Sequence, residues 1–528
     1  MLTQECMVIM AAGINGCPYR SLKIYIDAEP FSIMRIRFFR PPLLFPFVFL
    51  IFFSLLLILL GYAYPIFPPG TDPPHHALLS RYILDQKTLA IYWPDGTPVN
   101  YPLFFHAIAS LTAICGIPLY RAGFILSLAL LVGNVVLVFL FLRMYSLDAA
   151  YFSLFFLCLS PVLLKYLLAG LYPNVLGMFL YLLLLLLLVK IGLKSVKTSL
   201  LCGFILGLLV LTHGIAAITG GIIVTSFIIV SWLTHNTVRK EYILILAVTV
   251  VLVSLPWSFR IVPRLISGHH LLYAPRWITT SRGVVRQLFE EYGVLLFLAA
   301  GGAVTIRKME KTLTFVGLTA CIWGLLLLVL SFSVWGHRFL METVIPAGIL
   351  SGLFLQELRK HKYFLPVLVV CLVFQTALFS SMYIPQLTFE ADLERENLYT
   401  MLWIQDNTVV DAGFYHAILL YPIYVRVIAH RDPVNVSVRS SADERFYPFQ
   451  ADLRTLAHPQ VLRVLQDNAA YVYLCNVESF TFYEDQPFSP SAYLEENPHI
   501  FAGIYASGKA RIYLIEGHSA EYYHFVPI

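Results

Sequence analysis

Residues Ser199–Leu233 read SLLCGFILGLLVLTHGIAAITGGIIVTSFIIVSWL, thirty-five positions without one Asp, Glu, Lys or Arg. At about 1.5 Å of rise per residue, one helix of that length would reach roughly 50 Å, well beyond the ~30 Å hydrocarbon core of a bilayer. The run therefore divides, and Thr212-His213-Gly214 is where it does so. Each half is short for a crossing, which leaves His213 at the outer end of a span. A lone histidine there is either a site residue or a hydrogen-bonded packing residue.

The same pattern extends in both directions. Residues 43–65, 122–142, 149–166, 174–191, 199–212, 215–233, 242–262, 289–306, 313–333, 339–357 and 363–383 form eleven candidate spans. The whole chain of 528 residues is 59% hydrophobic and 13% charged, with a mean hydropathy of +0.75. So few polar side chains would leave a soluble protein of this size without a surface, so the excess apolar area must face lipid. The cysteines at 6, 17, 115, 158, 202, 321, 371 and 475 form no disulfide framework and no zinc spacing. A net charge of +5 resides in short clusters between apolar runs, the pattern of orientation signals, and argues against a nucleic-acid partner.

Residues 101–119 are a further apolar stretch, and the charge of the loops decides their place. With eleven spans and a cytoplasmic N-terminus, seventeen Lys and Arg of the N-terminal segment and the loops before the last span fall inside and nine outside. A crossing at 101–119 would give twelve inside against fourteen outside, so this stretch is expected to lie along the outer leaflet. The expected organisation is a cytoplasmic segment over 1–42, a membrane domain over 43–384 with a first outer loop over 66–120, and an extracytoplasmic α/β domain over 385–528. Residues 1–33 lack the apolar core and cleavage site of a signal peptide, and Met34, before Arg35 and Arg37, is a candidate start. In the tail, an amphipathic helix is expected over 389–407, a strand over 470–474 and a hairpin over 500–515 turning at Ser507-Gly508.

The first outer loop concentrates chemistry: Gly70-Thr71-Asp72-Pro73-Pro74-His75-His76, then Arg81, Asp85 and Asp95, then Tyr101-Pro102-Leu103-Phe104-Phe105-His106. A carboxylate at the membrane surface among partly desolvated aromatic groups can act as a general base or orient an attacking hydroxyl or amine; a solvated loop aspartate is the bland alternative. Later come Gly336-His337-Arg338-Phe339 and Pro346. An arginine at the lipid–water boundary can pair with a phosphate through two hydrogen bonds while its stem stays among apolar groups, and it can equally well be a snorkelling side chain. Arg264, Arg276, Arg282 and Arg286 collect in the outer loop 263–288, beside His269, His270, Tyr273 and Trp277. An anionic ligand accounts for that exception to the charge rule, and so do anionic head groups.

A carboxylate just after the first span, a long first outer loop, a Tyr-Pro-x-x-x-His surface helix and an Arg-Phe before a proline together resemble the GT-C superfamily of membrane glycosyltransferases. That superfamily includes oligosaccharyltransferase catalytic subunits and protein O-mannosyltransferases. The resemblance covers the whole chain and implies an outward-facing site, a polyprenyl-phosphate or diphosphate sugar donor, and a hexosyl- or pentosyltransferase acting on a glycan, protein or lipid acceptor. It implies that Asp72 activates or orients the acceptor and that Arg338, helped by Arg264, Arg276 and Arg282, holds the donor phosphate. His75, His76, Tyr101, His106, His213 and His337 are the expected lining. The turn 166–174 carries Lys165, Tyr172 and Asn174 around it, where many relatives have a second metal-holding acid. Asp72 with Asp85, Asp95 or a histidine offers ligands for one divalent cation such as Mg or Mn. The Trp-Trp-Asp-Tyr-Gly signature of true oligosaccharyltransferases and an outer Asp-x-Asp pair are both missing from the sequence. The competing classes are a transporter or flippase of a lipid-linked or polyanionic substrate, which would place charges near mid-membrane on repeated halves, and a non-catalytic glycolipid-binding relative.

Overall fold

The structure is a computed structural model, and it describes residues 44–64, 72–92, 99, 101–234, 238–266, 281–333, 336–388, 391–408, 413–416, 432–433, 471–475, 494–507 and 510–515. The chain is a largely helical membrane protein with a small C-terminal sheet. Helix α1 (Leu44–Ala63) is followed by α2 (Asp72–Gln86) and α3 (Phe104–Ile114). Then come α4 (Leu119–Arg143), α5 (Leu147–Cys158), α6 (Pro161–Leu168), α7 (Tyr172–Lys190), α8 (Val196–Thr212) and α9 (Gly214–Leu233). Helix α10 (Lys240–Ile266) precedes α11 (Ser281–Gln287), a π-helical turn (Leu288–Tyr292), α12 (Val294–Thr305) and α13 (Lys311–Leu330). The last helices are α14 (Gly336–Glu342), α15 (Val344–Leu358), α16 (Phe364–Thr388) and α17 (Ala391–Asn407).

Every one of the eleven expected segments is helical, and eight helices among the described residues are long and apolar enough to cross a membrane. The long run breaks at His213, as its length requires, and α3, only 11 residues long, is too short to cross. Two segments expected as single spans are bent. Residues 149–166 become α5 and α6, turned by 48°, and the helix running into Tyr292 turns by 95° before α12. Pro161 has no N–H to continue the first helix, so the chain restarts there. At the second bend Gly293 has a φ of +53°, a conformation that costs a side-chain-bearing residue far more. A third difference concerns the first outer loop. Its start is not irregular, because α2 begins at Asp72, and the Pro73-Pro74 pair sits in the first turn, where a missing N–H breaks no helical bond.

Burial grades the helices. In the window Gly336–Leu358, 83% of residues are enclosed, against 28% for Pro46–Ala63 and 11% for Lys240–Phe259, whose outer faces are left to lipid. Small residues let α15 sit at the centre. A Cβ on Gly302 of α12 would come within 2.2 Å of the Leu350 carbonyl oxygen, and one on Gly352 would come within 2.4 Å of the Ala149 carbonyl oxygen. These are backbone approaches that no rotamer change relieves.

In the tail, β1 (Gly413–His416), β2 (Asp432–Pro433), β3 (Tyr471–Cys475), β4 (Phe501–Ser507) and β5 (Ala510–Ile515) form one sheet in the order β2-β1-β3-β5-β4. Strand β1 runs parallel to β2 and β3, while β5 is antiparallel to β3 and β4. The hairpin expected over 500–515 is β4 and β5, paired Ser507 to Ala510 across the turn.

Overpacking of this kind costs about 1–3 kcal/mol and more where backbone must move. Gly302→Val and Gly352→Val are expected to lower the thermal unfolding midpoint in detergent by several degrees. Gly221→Ala, whose added Cβ meets nothing within 4 Å, is the control and is expected to leave the midpoint in place. Equal midpoints for all three variants would contradict the central place of α15.

Candidate active site

The charged centre of the site joins residues 266 apart: Arg338 Nη2 lies 3.2 Å from Asp72 Oδ2. Their side chains retain 22% and 36% of their exposure, so both charges stay reachable from solvent. Each is set in place by its own helix. Asp72 opens α2, where a carboxylate interacts favourably with the helix dipole. Pro73, next in line, abuts Gly170 in the turn between α6 and α7, where a Cβ would come within 2.2 Å of the Pro73 ring and φ is +72°. Only glycine allows that turn to meet the start of α2.

Arg338 lies on α14, a seven-residue helix interrupted at Thr343 before α15 continues. The junction is held by Tyr292, whose hydroxyl donates to the Leu340 carbonyl and lies 2.7 Å from the Thr343 hydroxyl. Tyr292 ends the π-helical turn, so the 95° bend and the break at Thr343 lock together.

A histidine and tyrosine group backs the charges. His76 Nδ1 lies 2.9 Å from His106 Nε2, one ring donating and the other accepting. Both rings are buried, and the ring of Tyr101 packs against His76, His106 and His213 with centroids 6.0, 5.4 and 6.2 Å away. Ser110 Oγ donates to the Ser80 carbonyl at 2.9 Å and holds α3 against α2. Burial pushes the His76 imidazole down to about 4, with the Asp72 charge opposing the shift, and burial also lowers His75. His106 is held well below its ordinary value by burial and then by His76. His213 falls to about 3 through burial, the Arg338 charge and His76, while its Nδ1 accepts the Ile215 N–H at 3.3 Å and caps α9. Burial and the Asp72 charge raise the Tyr101 phenol, which stays a protonated hydrogen-bond donor. At neutral pH these groups are uncharged, and Asp72 and Arg338 carry the local charge.

A second ion pair adjoins the first. Lys165 Nζ lies 2.5 Å from Glu291 Oε1, and Gln287 Nε2 donates to the other oxygen at 3.1 Å. Lys165 and Arg338 both act electrostatically on His337. Of the expected residues, the structure thus brings together Asp72, His75, His76, Tyr101, His106, His213, His337 and Arg338. Arg276 and Asp95 lie outside the described residues, as do the side chains of Arg264 and Arg282. Arg286 is taken up by Glu290 one turn along its own helix, at 2.6 Å, and Asp85 by Arg81 at 2.9 Å. Sequence reasoning missed Glu291 and Glu342; the latter is the one charged residue of the apolar run 339–355, which is a usable signal. Among the described residues no three His, Cys, Asp or Glu side chains converge as metal ligands, and the His76 and His106 nitrogens that face each other are spent on their mutual bond.

By sequence, no family model and no curated protein matches the chain. Among solved structures, it is similar to ArnT from Cupriavidus metallidurans bound to undecaprenyl phosphate, with a TM-score of 0.59 and 13% identity over 89% of this chain and 98% of that one. It is also similar to the Archaeoglobus fulgidus oligosaccharyltransferase in complex with Zn and sulfate, with a TM-score of 0.54 and 13% identity over 88% of this chain and 72% of that one. The arabinofuranosyltransferase AftD from Mycobacteria gives a TM-score of 0.53 and 15% identity over 89% of this chain but only 40% of its own. These are GT-C glycosyltransferases, and the chain has their fold.

The buried imidazoles carry a pH signature. A histidine whose folded value is depressed takes up its proton more readily when unfolded, so it destabilises the fold progressively as pH falls from about 6.5 toward 4. Thermal unfolding followed across that window is expected to show a falling midpoint for the native chain and a flatter profile for His76→Gln. Indistinguishable profiles would mean that His76 is not held neutral.

Proposed function

We propose that the chain is a membrane glycosyltransferase that moves a sugar from a polyprenyl-phosphate-linked donor to an acceptor hydroxyl or amine on the extracytoplasmic face. The observation that carries this reading is the Asp72–Arg338 pair, a base and a phosphate-binding group brought within 3.2 Å by helices far apart in sequence, in a chain with the GT-C fold. The fold match to a structure bound to undecaprenyl phosphate supports the choice of donor.

The chemistry follows from the two groups. Arg338 offers a planar fork of donors suited to phosphate oxygens, and its charge opposes the negative charge that builds on the leaving phosphate. Asp72 accepts the acceptor's proton as the nucleophile attacks the anomeric carbon. The bond from that carbon to the phosphate oxygen breaks as the new one forms, the phosphate leaves with the electron pair, and in-line attack inverts the anomeric centre. The uncharged histidines and Tyr101 wall the site without adding a cation that would compete for the phosphate. The cations of 263–288 are proposed to attract the donor's head group to this rim, with Arg264, Arg276 and Arg282 as its further contacts.

Before donor arrives, the two groups occupy one another. The phosphate therefore competes with Asp72 for the guanidinium, and its binding releases the carboxylate toward the acceptor. This gives a donor-first order without a moving domain.

Two measurements test the scheme. With radiolabelled undecaprenyl-phosphate sugars and a crude acceptor extract, Asp72→Asn and Arg338→Ala are each expected to lower transfer by ~10²-fold or more; undiminished transfer by Asp72→Asn removes the assignment. In direct binding of undecaprenyl phosphate, Asp72→Asn is expected to bind up to about fivefold more tightly, because an exposed ion pair of up to ~1 kcal/mol no longer has to be broken. Unchanged or weaker binding would rule out the competition.

A further inference from the structure

Beneath the charged pair lies a carboxyl that the mechanism above does not use. Glu342 has no exposed surface, and it is the sole Asp, Glu, Lys or Arg among the buried described residues. Its Oε1 accepts from Asn174 Nδ2 at 3.3 Å, and the fully buried Tyr181 and Tyr166 act electrostatically on the same carboxyl, although neither hydroxyl makes a hydrogen bond of ordinary geometry to it. No described cation lies within ion-pair distance of it. An ionisable group enclosed in a membrane bundle is costly to keep unless it does something.

Its position says what that is. Glu342 closes α14 four residues after Arg338, so the two side chains share one face of the helix that bears the guanidinium. Asn174 stands in the first turn of α7, four residues after Gly170, the residue that abuts Pro73 beside Asp72. The contacts form a closed circuit: Asp72 to Arg338, along α14 to Glu342, across to Asn174, back along the turn to Gly170 and through Pro73 to Asp72.

We propose that Glu342 is a positioning residue, whose carboxyl ties α14 to the first turn of α7 and so fixes the Arg338 guanidinium against Asp72. It acts through its hydrogen bond to Asn174, which a neutral amide oxygen can also accept. A glutamine, with the same shape and an acceptor oxygen for Asn174, therefore replaces it. A leucine, of similar bulk but without polar atoms, does not. The structural half of this inference stands alone; its consequence for donor binding rests on the phosphate role assigned to Arg338.

The test uses the full chain in lipid nanodiscs, with undecaprenyl phosphate as the probe. Glu342→Leu is expected to weaken probe binding by about tenfold and to separate Arg338 from Asp72 in a cryo-EM map, while Glu342→Gln keeps both near native. Asn174→Ala, which cuts the same bond from the other side, should reproduce the loss, and the Glu342→Leu/Asn174→Ala double variant should be no worse than either single one. Asn174→Ala alone also serves if Glu342→Leu fails to fold. The proposal is overturned if the Arg338–Asp72 contact survives in Glu342→Leu or Asn174→Ala, if glutamine behaves like leucine, or if the two losses add. Failure of the native chain to bind the probe would instead sink the donor assignment, and the Arg338–Asp72 separation in the variants would still decide the role of Glu342.

Discussion

The contact between Asp72 and Arg338 is the point on which the site depends, yet it is too weak to have assembled it. A partly exposed ion pair at 3.2 Å contributes at most about 1 kcal/mol, which cannot draw two helices together from positions 266 residues apart. The order of cause is the reverse. Apolar packing and backbone-to-backbone approach bring α2 and α14 to one rim of the bundle, and the charges meet because the helices do. Gly170 admits Pro73 on one side, while Tyr292 ties the Leu340–Thr343 junction on the other. A weak pair on stiff supports suits the proposed exchange of one partner for a phosphate.

The neutral imidazoles make the same point electrostatically. Five histidines within one site would, if protonated, outweigh the single Asp72 charge and turn the site into a general anion trap. Burial prevents this: His76 is brought down to about 4 and His213 to about 3, with Arg338 contributing to the second. The positive charge offered to a ligand is then confined to groups with defined geometry, chiefly the Arg338 fork. Lys165 is already answered by Glu291, and Arg286 by Glu290.

Much of this was legible from residue order. The excess of apolar runs fixed the membrane class, the length of Ser199–Leu233 located the break at His213, and loop charge kept 101–119 from being read as a crossing, in keeping with an α3 of only 11 residues. Asp72 and Arg338 could be singled out because each is a charged residue at the edge of an apolar run. What stayed hidden was pairing and local helix geometry. Pro73-Pro74 reads as a loop in sequence, since the tolerance of a first helical turn for proline shows only once the turn is known to be there. The pairing of Lys165 with Glu291 spans 126 residues, and nothing in either neighbourhood announces the other. Arg286 looked like a free loop cation until α11 and the π-helical turn placed Glu290 one turn away.

The bends that sequence reading missed are also where the site gets its polar groups, and there is a physical reason. An unbroken apolar helix satisfies its own backbone and presents only hydrocarbon; a break frees carbonyls and N–H groups that must be answered by side chains within the protein. At Thr343 the answer comes from Tyr292, itself beside the 95° bend at Gly293. At His213 the side chain caps the next helix. Each interruption therefore requires a polar residue near the membrane rim, and once those residues are present, adding an arginine and an aspartate costs less than placing them against bare apolar walls. The irregular segments are not defects around which a site was fitted. They are the parts of the bundle in which a charged site can be built.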